Sequence, residues 1–123
     1  MEQGEASTTA AEGKVVSQLR KGVLEYCVLA QLRDGPRYGV ELLEGLAAVR
    51  VMTTSQGTIY PLLSRLRREQ LVDTFLRESP SGPARRYYTL TPTGRSALAE
   101  FAASWPPFRD AVDHFLSSGG THA

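Results

Sequence analysis

Apolar residues recur at helical spacing in four stretches of the chain, and two further stretches have strand character. Between Lys14 and Arg33, Leu19, Val23, Tyr26 and Ala30 form one stripe, and Leu24, Cys27, Val28 and Leu32 form its neighbour. The predicted helix therefore has an apolar surface too wide for one side of a small core, as expected if it packs on its own domain and on a partner subunit. Asp34-Gly35-Pro36 stops it, because glycine can take a left-handed cap and proline cannot continue. Tyr38 to Ala48 predicts a second helix with Leu42, Leu43 and Leu46 inward and Glu41 and Glu44 outward. Val51 and Met52 are expected to pin the connection after it to the core.

A third helix is predicted within Thr54 to Leu71, where Ile59, Leu62, Leu63, Leu66 and Leu71 make one apolar stripe. Ser55 is its expected N-cap, its hydroxyl accepting from a first-turn amide. Pro61 removes one backbone donor and should kink or tighten the first turn. Val72 to Arg77 and Arg85 to Leu90 read as two strands around the turn cluster Ser79-Pro80-Ser81-Gly82-Pro83. Thr91-Pro92 then opens a last helix, a hydroxyl cap followed by proline at the first helical position. Along it, Leu98, Phe101, Trp105, Phe108, Val112 and Phe115 alternate steps of three and four, the seam expected where helices of two subunits meet. Pro106-Pro107 interrupts that seam and predicts a kink or break near Ser104–Trp105.

Size and charge narrow the function. At 123 residues the chain holds one domain's worth of core. No run approaches a membrane span, and the N-terminus lacks a signal-peptide pattern, so a cytoplasmic protein is expected. The single Cys27 has no internal disulfide partner and reads as a buried small hydrophobe, with no basic residue within a turn to stabilise a thiolate. Net charge is only +1, but residues 54–90 carry six arginines against three carboxylates, which concentrates positive potential on one face. An enzyme is not supported. His114 and His122 lack a catalytic setting, Asp110 and His114 read as a surface ion pair, and Gly119-Gly120 lies in the terminal tail rather than in a phosphate loop. No metal site or cofactor is expected.

The third helix, with a hydrogen-bonding tip, an apolar back and an arginine flank, suits a DNA major groove. Gln56 can contact an adenine edge and Thr58 a thymine methyl, while Ser55, Tyr60, Arg65, Arg67 and Arg68 are suited to phosphates. A ribbon directly after that helix, with Arg77, Arg85 and Arg86 on it, completes a winged helix-turn-helix pattern. Tyr87 and Tyr88 alternate faces of the second strand, with Tyr87 expected outward. The alternative is a winged helix used for protein contact. It would present acidic or bulky apolar residues at the tip, whereas this tip is Ser, Gln and Thr flanked by arginines.

Three linked motifs carry a resemblance. Gly57-Thr-Ile-Tyr-Pro-Leu-Leu-x-Arg-Leu, Gly82-Pro-x-Arg-Arg-Tyr-Tyr and Leu90-Thr-Pro-x-Gly-Arg, together with Tyr38-Gly39-Val40-Glu41-Leu42, closely resemble the PadR family of bacterial transcription regulators over roughly residues 19–116. The chain looks like the short subgroup, with one C-terminal helix. The expected fold is mostly α with a small β-ribbon: a disordered tail over residues 1–13, a winged helix-turn-helix DNA-binding domain over 14–90, a C-terminal dimerisation helix over 91–117 kinked near 105–107, and a tail over 118–123.

The resemblance implies a homodimeric, nucleoid-associated repressor on double-stranded DNA with an inverted-repeat operator. Leu19, Val23, Tyr26, Leu98, Phe101, Trp105, Phe108, Val112 and Phe115 are the expected dimer residues. In some members of the subgroup a last-helix tryptophan lines an apolar chamber where flat aromatic molecules stack. Trp105 resembles that position, with Phe101 beside it and Ala102 leaving room, and the plainer reading is a tryptophan that simply fills the interface.

Overall fold

The computed structural model describes the backbone of residues 2–122 and the side chains of residues 13–117. The elements run α1 (Glu2–Gln31), β1 (Arg37–Tyr38), α2 (Gly39–Ala47), a short 3-10 turn (Arg50–Met52), α3 (Gln56–Arg68), β2 (Val72–Arg77), β3 (Arg85–Leu90) and α4 (Pro92–His122). All of them, apart from that 3-10 turn and the two-residue β1, send side chains into one core. Val28, Leu29 and Leu32 of α1 are sealed against Leu42 of α2, Ile59, Leu63 and Leu66 of α3, and Val72 of β2. Burial at this level contributes about 1.5–3 kcal/mol for each large aliphatic chain. Tyr88 and Leu90 close the core from β3, and Leu98 closes it from α4.

The sheet has three antiparallel strands in the order β1-β3-β2, so the expected two-stranded ribbon is extended by one short strand. Arg37 and Tyr38 pair with Tyr88 and Tyr87. Two residues cannot show a period, and Tyr38 looks like the first residue of a helix; it is instead the N-cap of α2, its amide donating to Glu41 Oε1 at 3.1 Å. Across β2 and β3, Phe75 faces Tyr87 and Thr74 faces Tyr88. Tyr88 is buried beneath the sheet and Tyr87 lies on its outer face, as the alternation predicted.

Two junctions fix the ends of α3 and α4. The Leu71 amide donates to Leu66 O at 2.9 Å and the Gln70 amide to Arg67 O at 3.0 Å, a Schellman closure with Gln70 in the left-handed region at φ 62°. Thr91 caps α4, accepting from the Gly94 amide at 2.9 Å, and donates its own hydroxyl proton to Gln70 O at 2.7 Å. Gly94 has no freedom to carry a side chain. A β-carbon there would lie 2.0 Å from Leu71 O. The Leu-Thr-Pro-x-Gly motif therefore encodes a cap and a close approach at one point.

Three expectations change. α1 is helical from Glu2 rather than from Lys14, and α4 is helical to His122, so both helices extend into the stretches read as tails. Glutamate and alanine dominate the first stretch and both favour helix, without giving the apolar period that the sequence reading required. The side chains of 1–12 and 118–123 lie outside the described residues, as do Met1 and Ala123 altogether. Pro106 and Pro107 sit inside α4 without ending it. Each lacks only one amide, and this part of the helix is exposed, where water can satisfy the freed carbonyls. The Ser104 hydroxyl bonds back to Glu100 O at 2.8 Å just before them.

Candidate nucleic-acid interface

The sequence of α3 makes one end of it an open tip. Ser55 occupies the N-cap position, but its hydroxyl lies 3.3 Å from the Thr58 hydroxyl and does not bond to a backbone amide. Its carbonyl takes the Thr58 and Ile59 amides at 3.1 and 3.0 Å, so those of Gln56 and Gly57 are left at the positive end of the helix. Ser55, Gln56 and Thr58 are all exposed around this end, while Ile59, Leu63 and Leu66 anchor the back of the helix. Pro61 lies in the second turn without breaking α3.

The arginines divide into one that is committed and five that are not. Arg65 donates to Glu25 of α1 at 2.9 Å and to Glu69 at 3.2 Å. The hydrogen bond to Glu25, more than any other effect, raises its already high pKa. Arg65, expected at a phosphate, is engaged by these carboxylates and clasps α3 to α1. A carboxylate forty positions away leaves no local signal in the sequence. Among the described residues, Arg67, Arg68, Arg77, Arg85 and Arg86 make no ion pair. Uncompensated guanidinium groups on an otherwise nearly neutral protein are what a phosphate backbone would engage.

The wing arranges three of them differently. Arg77 lies over the Tyr87 ring at 4.5 Å and the Phe75 ring at 5.4 Å, and Arg85 lies over Tyr38 at 4.5 Å. Phe75 and Tyr87 are stacked at 5.6 Å, so the outer face of the sheet is an aromatic row with cations laid on it. Such contacts stabilise each pair by about 0.5–1 kcal/mol at exposed sites. Arg86 points to the other face and donates to Thr74 Oγ1 at 3.1 Å. Burial raises the pKa of Tyr88 on that face, so its hydroxyl stays protonated.

Tyr60 reaches away from the tip toward α2. A β-carbon on Gly39 would lie 2.6 Å from the Tyr60 ring, so the ring packs directly on this glycine. The Tyr-Gly pair was legible as a motif, whereas its role as the seat of a tyrosine from α3 was not.

On the opposite side, α1, the 3-10 turn and α4 enclose an open apolar groove of about 860 Å³, lined among others by Leu19, Val23, Trp105, Phe108 and Val112. The residues read as a dimer surface separate here into two groups. Leu98 is buried in the protomer's own core, and Tyr26 stacks on Phe101 at 4.2 Å within the chain. Trp105 follows Phe101 in the stack at 5.8 Å. Leu19, Phe108, Val112 and Phe115 remain exposed, with Phe115 at 74%. Val51 lines this groove and is exposed, instead of pinning the core as expected; Met52 packs on the core. Cys27 is half-buried and its thiol pKa is raised by burial, which agrees with a packing role.

Helix, turn, helix and three-stranded wing, with an exposed polar tip and unpaired arginines, define a winged helix-turn-helix protein. Residues 28–100 match the transcriptional regulator PadR-like family. Among solved structures, the chain is 41% identical to a PadR-like transcription factor from Bacteroides fragilis (TM-score 0.69), covering 83% of this chain and 98% of that one. It is 39% identical to a PadR-like transcriptional regulator from Bacillus cereus (TM-score 0.72; 80% and 96% covered). A PadR family regulator from Eggerthella lenta is 32% identical with TM-score 0.79, over 90% and 96% of the two chains. The chain belongs to the PadR-like family of transcriptional regulators, a family of DNA-binding proteins. Among the described residues no helix is long and apolar enough to cross a membrane.

Proposed function

We propose that the chain acts as a homodimeric repressor that binds an inverted-repeat operator, at the nucleoid in the cytoplasm. The observation that carries this reading is α3 itself, whose tip exposes Gln56 and Thr58 and whose last turn carries Arg67 and Arg68 without ion-pair partners. Gln56 reads an adenine edge, Thr58 a thymine methyl, and Arg67 and Arg68 hold the helix in register on phosphates. Arg77, Arg85 and Arg86 engage the adjacent backbone from the wing. The exposed apolar residues along α1 and α4 are covered by a second copy, an arrangement supported by Leu19, Phe108 and Phe115 each being more than 60% exposed. Two-fold symmetry then presents two α3 helices about 34–36 Å apart, one turn of DNA.

A flat aromatic ligand in the groove against Trp105 and Phe101 releases the operator. Supporting this, α1 walls the groove and also holds the 3-10 turn that precedes α3 and the last turn of α3: Arg20 Nη1 donates to Val51 O at 2.6 Å, and Glu25 holds Arg65. The test is selection of bound duplexes from a random library, followed by titration of the recovered site at two salt concentrations. An inverted repeat bound far more tightly than random DNA supports the reading. Failure to recover a site, with binding lost at moderate salt, overturns it in favour of a protein-contact role.

A further inference from the structure

Where α3, the start of α2 and the wing meet lies a second, smaller cleft of about 260 Å³, lined by Tyr38, Gly39, Val40, Tyr60, Arg85, Arg86 and Tyr88. Its shape follows from β1. That strand stops after Tyr38, where the chain turns into α2, so β3 at Arg85 and Arg86 has a partner strand on one side only. The Tyr60 ring leans across Gly39 into this gap, its Oη 2.7 Å from where a glycine β-carbon would stand. No hydrogen-bond partner satisfies that hydroxyl among the described residues, and Tyr60 is 38% exposed. Arg86 donates one nitrogen to Thr74 and has no carboxylate partner, while Arg85 is held over Tyr38 at the rim. Glu41, the acidic residue nearest in sequence, is turned back onto the Tyr38 amide and does not line the cleft.

We propose that this cleft seats one DNA backbone phosphate in each half-site, held jointly by the Tyr60 hydroxyl and the Arg86 guanidinium, so that a single phosphate fixes the wing relative to α3. This rests on the operator-binding reading above. The donors come from three elements, and every lining charge is positive. The space accommodates a phosphate group, and it opens between the two elements that would straddle the backbone. Arg86 supplies the charge-assisted bond and Tyr60 a neutral, directional one. The α2 amides of Gly39 and Val40 sit at the same point.

A shared phosphate makes the two side chains energetically dependent, which distinguishes this seat from two independent backbone contacts. The experiment measures the affinity of the wild type, Tyr60→Phe, Arg86→Gln and the double variant for the selected operator by fluorescence anisotropy across a salt series. The expected result is that Arg86→Gln reduces the salt slope by about 0.9, Tyr60→Phe leaves it unchanged, and the double variant loses at least about 3-fold less than the product of the singles. On duplexes carrying one neutral methylphosphonate, the same position in each half-site should weaken the wild type most, weaken Tyr60→Phe through its remaining Arg86 contact, weaken Arg86→Gln least of the singles, and leave the double variant unaffected. Losses that multiply, or that map to different phosphates, on an operator the wild type binds tightly overturn the shared seat alone. A wild type that binds no selected duplex overturns it together with the operator-binding reading.

Discussion

Gly94→Ala tests the junction that sets α4 on the DNA-binding domain. In an unobstructed helix this exchange stabilises, by about 0.5–1 kcal/mol, because glycine loses more backbone freedom on folding. Here the new methyl would lie 2.0 Å from Leu71 O and 3.1 Å from Leu90 Cδ2, where ordinary contact begins at 3.4 Å. The obstacle is backbone, so α4 itself must retreat. Retreat stretches the Thr91 amide bond to Leu71 O at 3.2 Å and the Thr91 hydroxyl bond to Gln70 O at 2.7 Å. Each is worth about 0.5–1.5 kcal/mol, and further burial is lost where Leu90 and Leu98 meet the core. Net of the helix gain, the variant should be less stable by about 2–3 kcal/mol. Urea unfolding followed by circular dichroism, with both proteins at one concentration, should show a midpoint lowered by about 1 M or more. A midpoint unchanged or raised would refute the reasoning, since only the close approach makes the sign negative.

Gln70→Gly should raise stability by about 1 kcal/mol, because it relieves a side chain held at φ 62° while keeping the Schellman bonds; the same urea assay reads it. Arg65→Met should lower stability by up to about 1 kcal/mol, since the pair with Glu25 is partly exposed, yet leave the salt slope of operator binding unchanged. Arg67→Ala with Arg68→Ala should do the reverse, flattening the slope by about 1.8 at constant stability if both meet phosphates. Phe108→Glu with Phe115→Glu should yield a folded monomer by sedimentation and so abolish cooperative operator binding, both side chains being exposed in the protomer. Because burial raises the Cys27 pKa, less thiolate is present at any given pH, and iodoacetamide should label it more slowly than glutathione at pH 8 until urea is added.

What the sequence made legible follows the range of the interactions. Helical spacing located α2 and α3 and the apolar back of each, because those residues meet one common core and their period is local. The alternation in β3 placed Tyr87 and Tyr88 on opposite faces for the same reason, and the core beneath the sheet takes Tyr88. Where a residue's role is decided by something distant, local pattern misleads. Arg65 and Arg68 are both basic residues outside the apolar stripe of α3, and the distant Glu25 makes the first of them a clasp between helices. Phe101 carries the spacing of a dimer seam and Tyr26 that of the α1 stripe, and the two stack on each other inside one protomer. That division has a consequence for assembly. The inner part of the seam, Leu98 and Phe101, fixes how α4 leaves the domain, and the outer part, from Trp105 onward, is what a partner could cover. A single heptad repeat can therefore serve two purposes in sequence order. Substitutions before Trp105 should be felt first as lost stability of the protomer, and those after it as lost association, a boundary that a scan along α4 would locate.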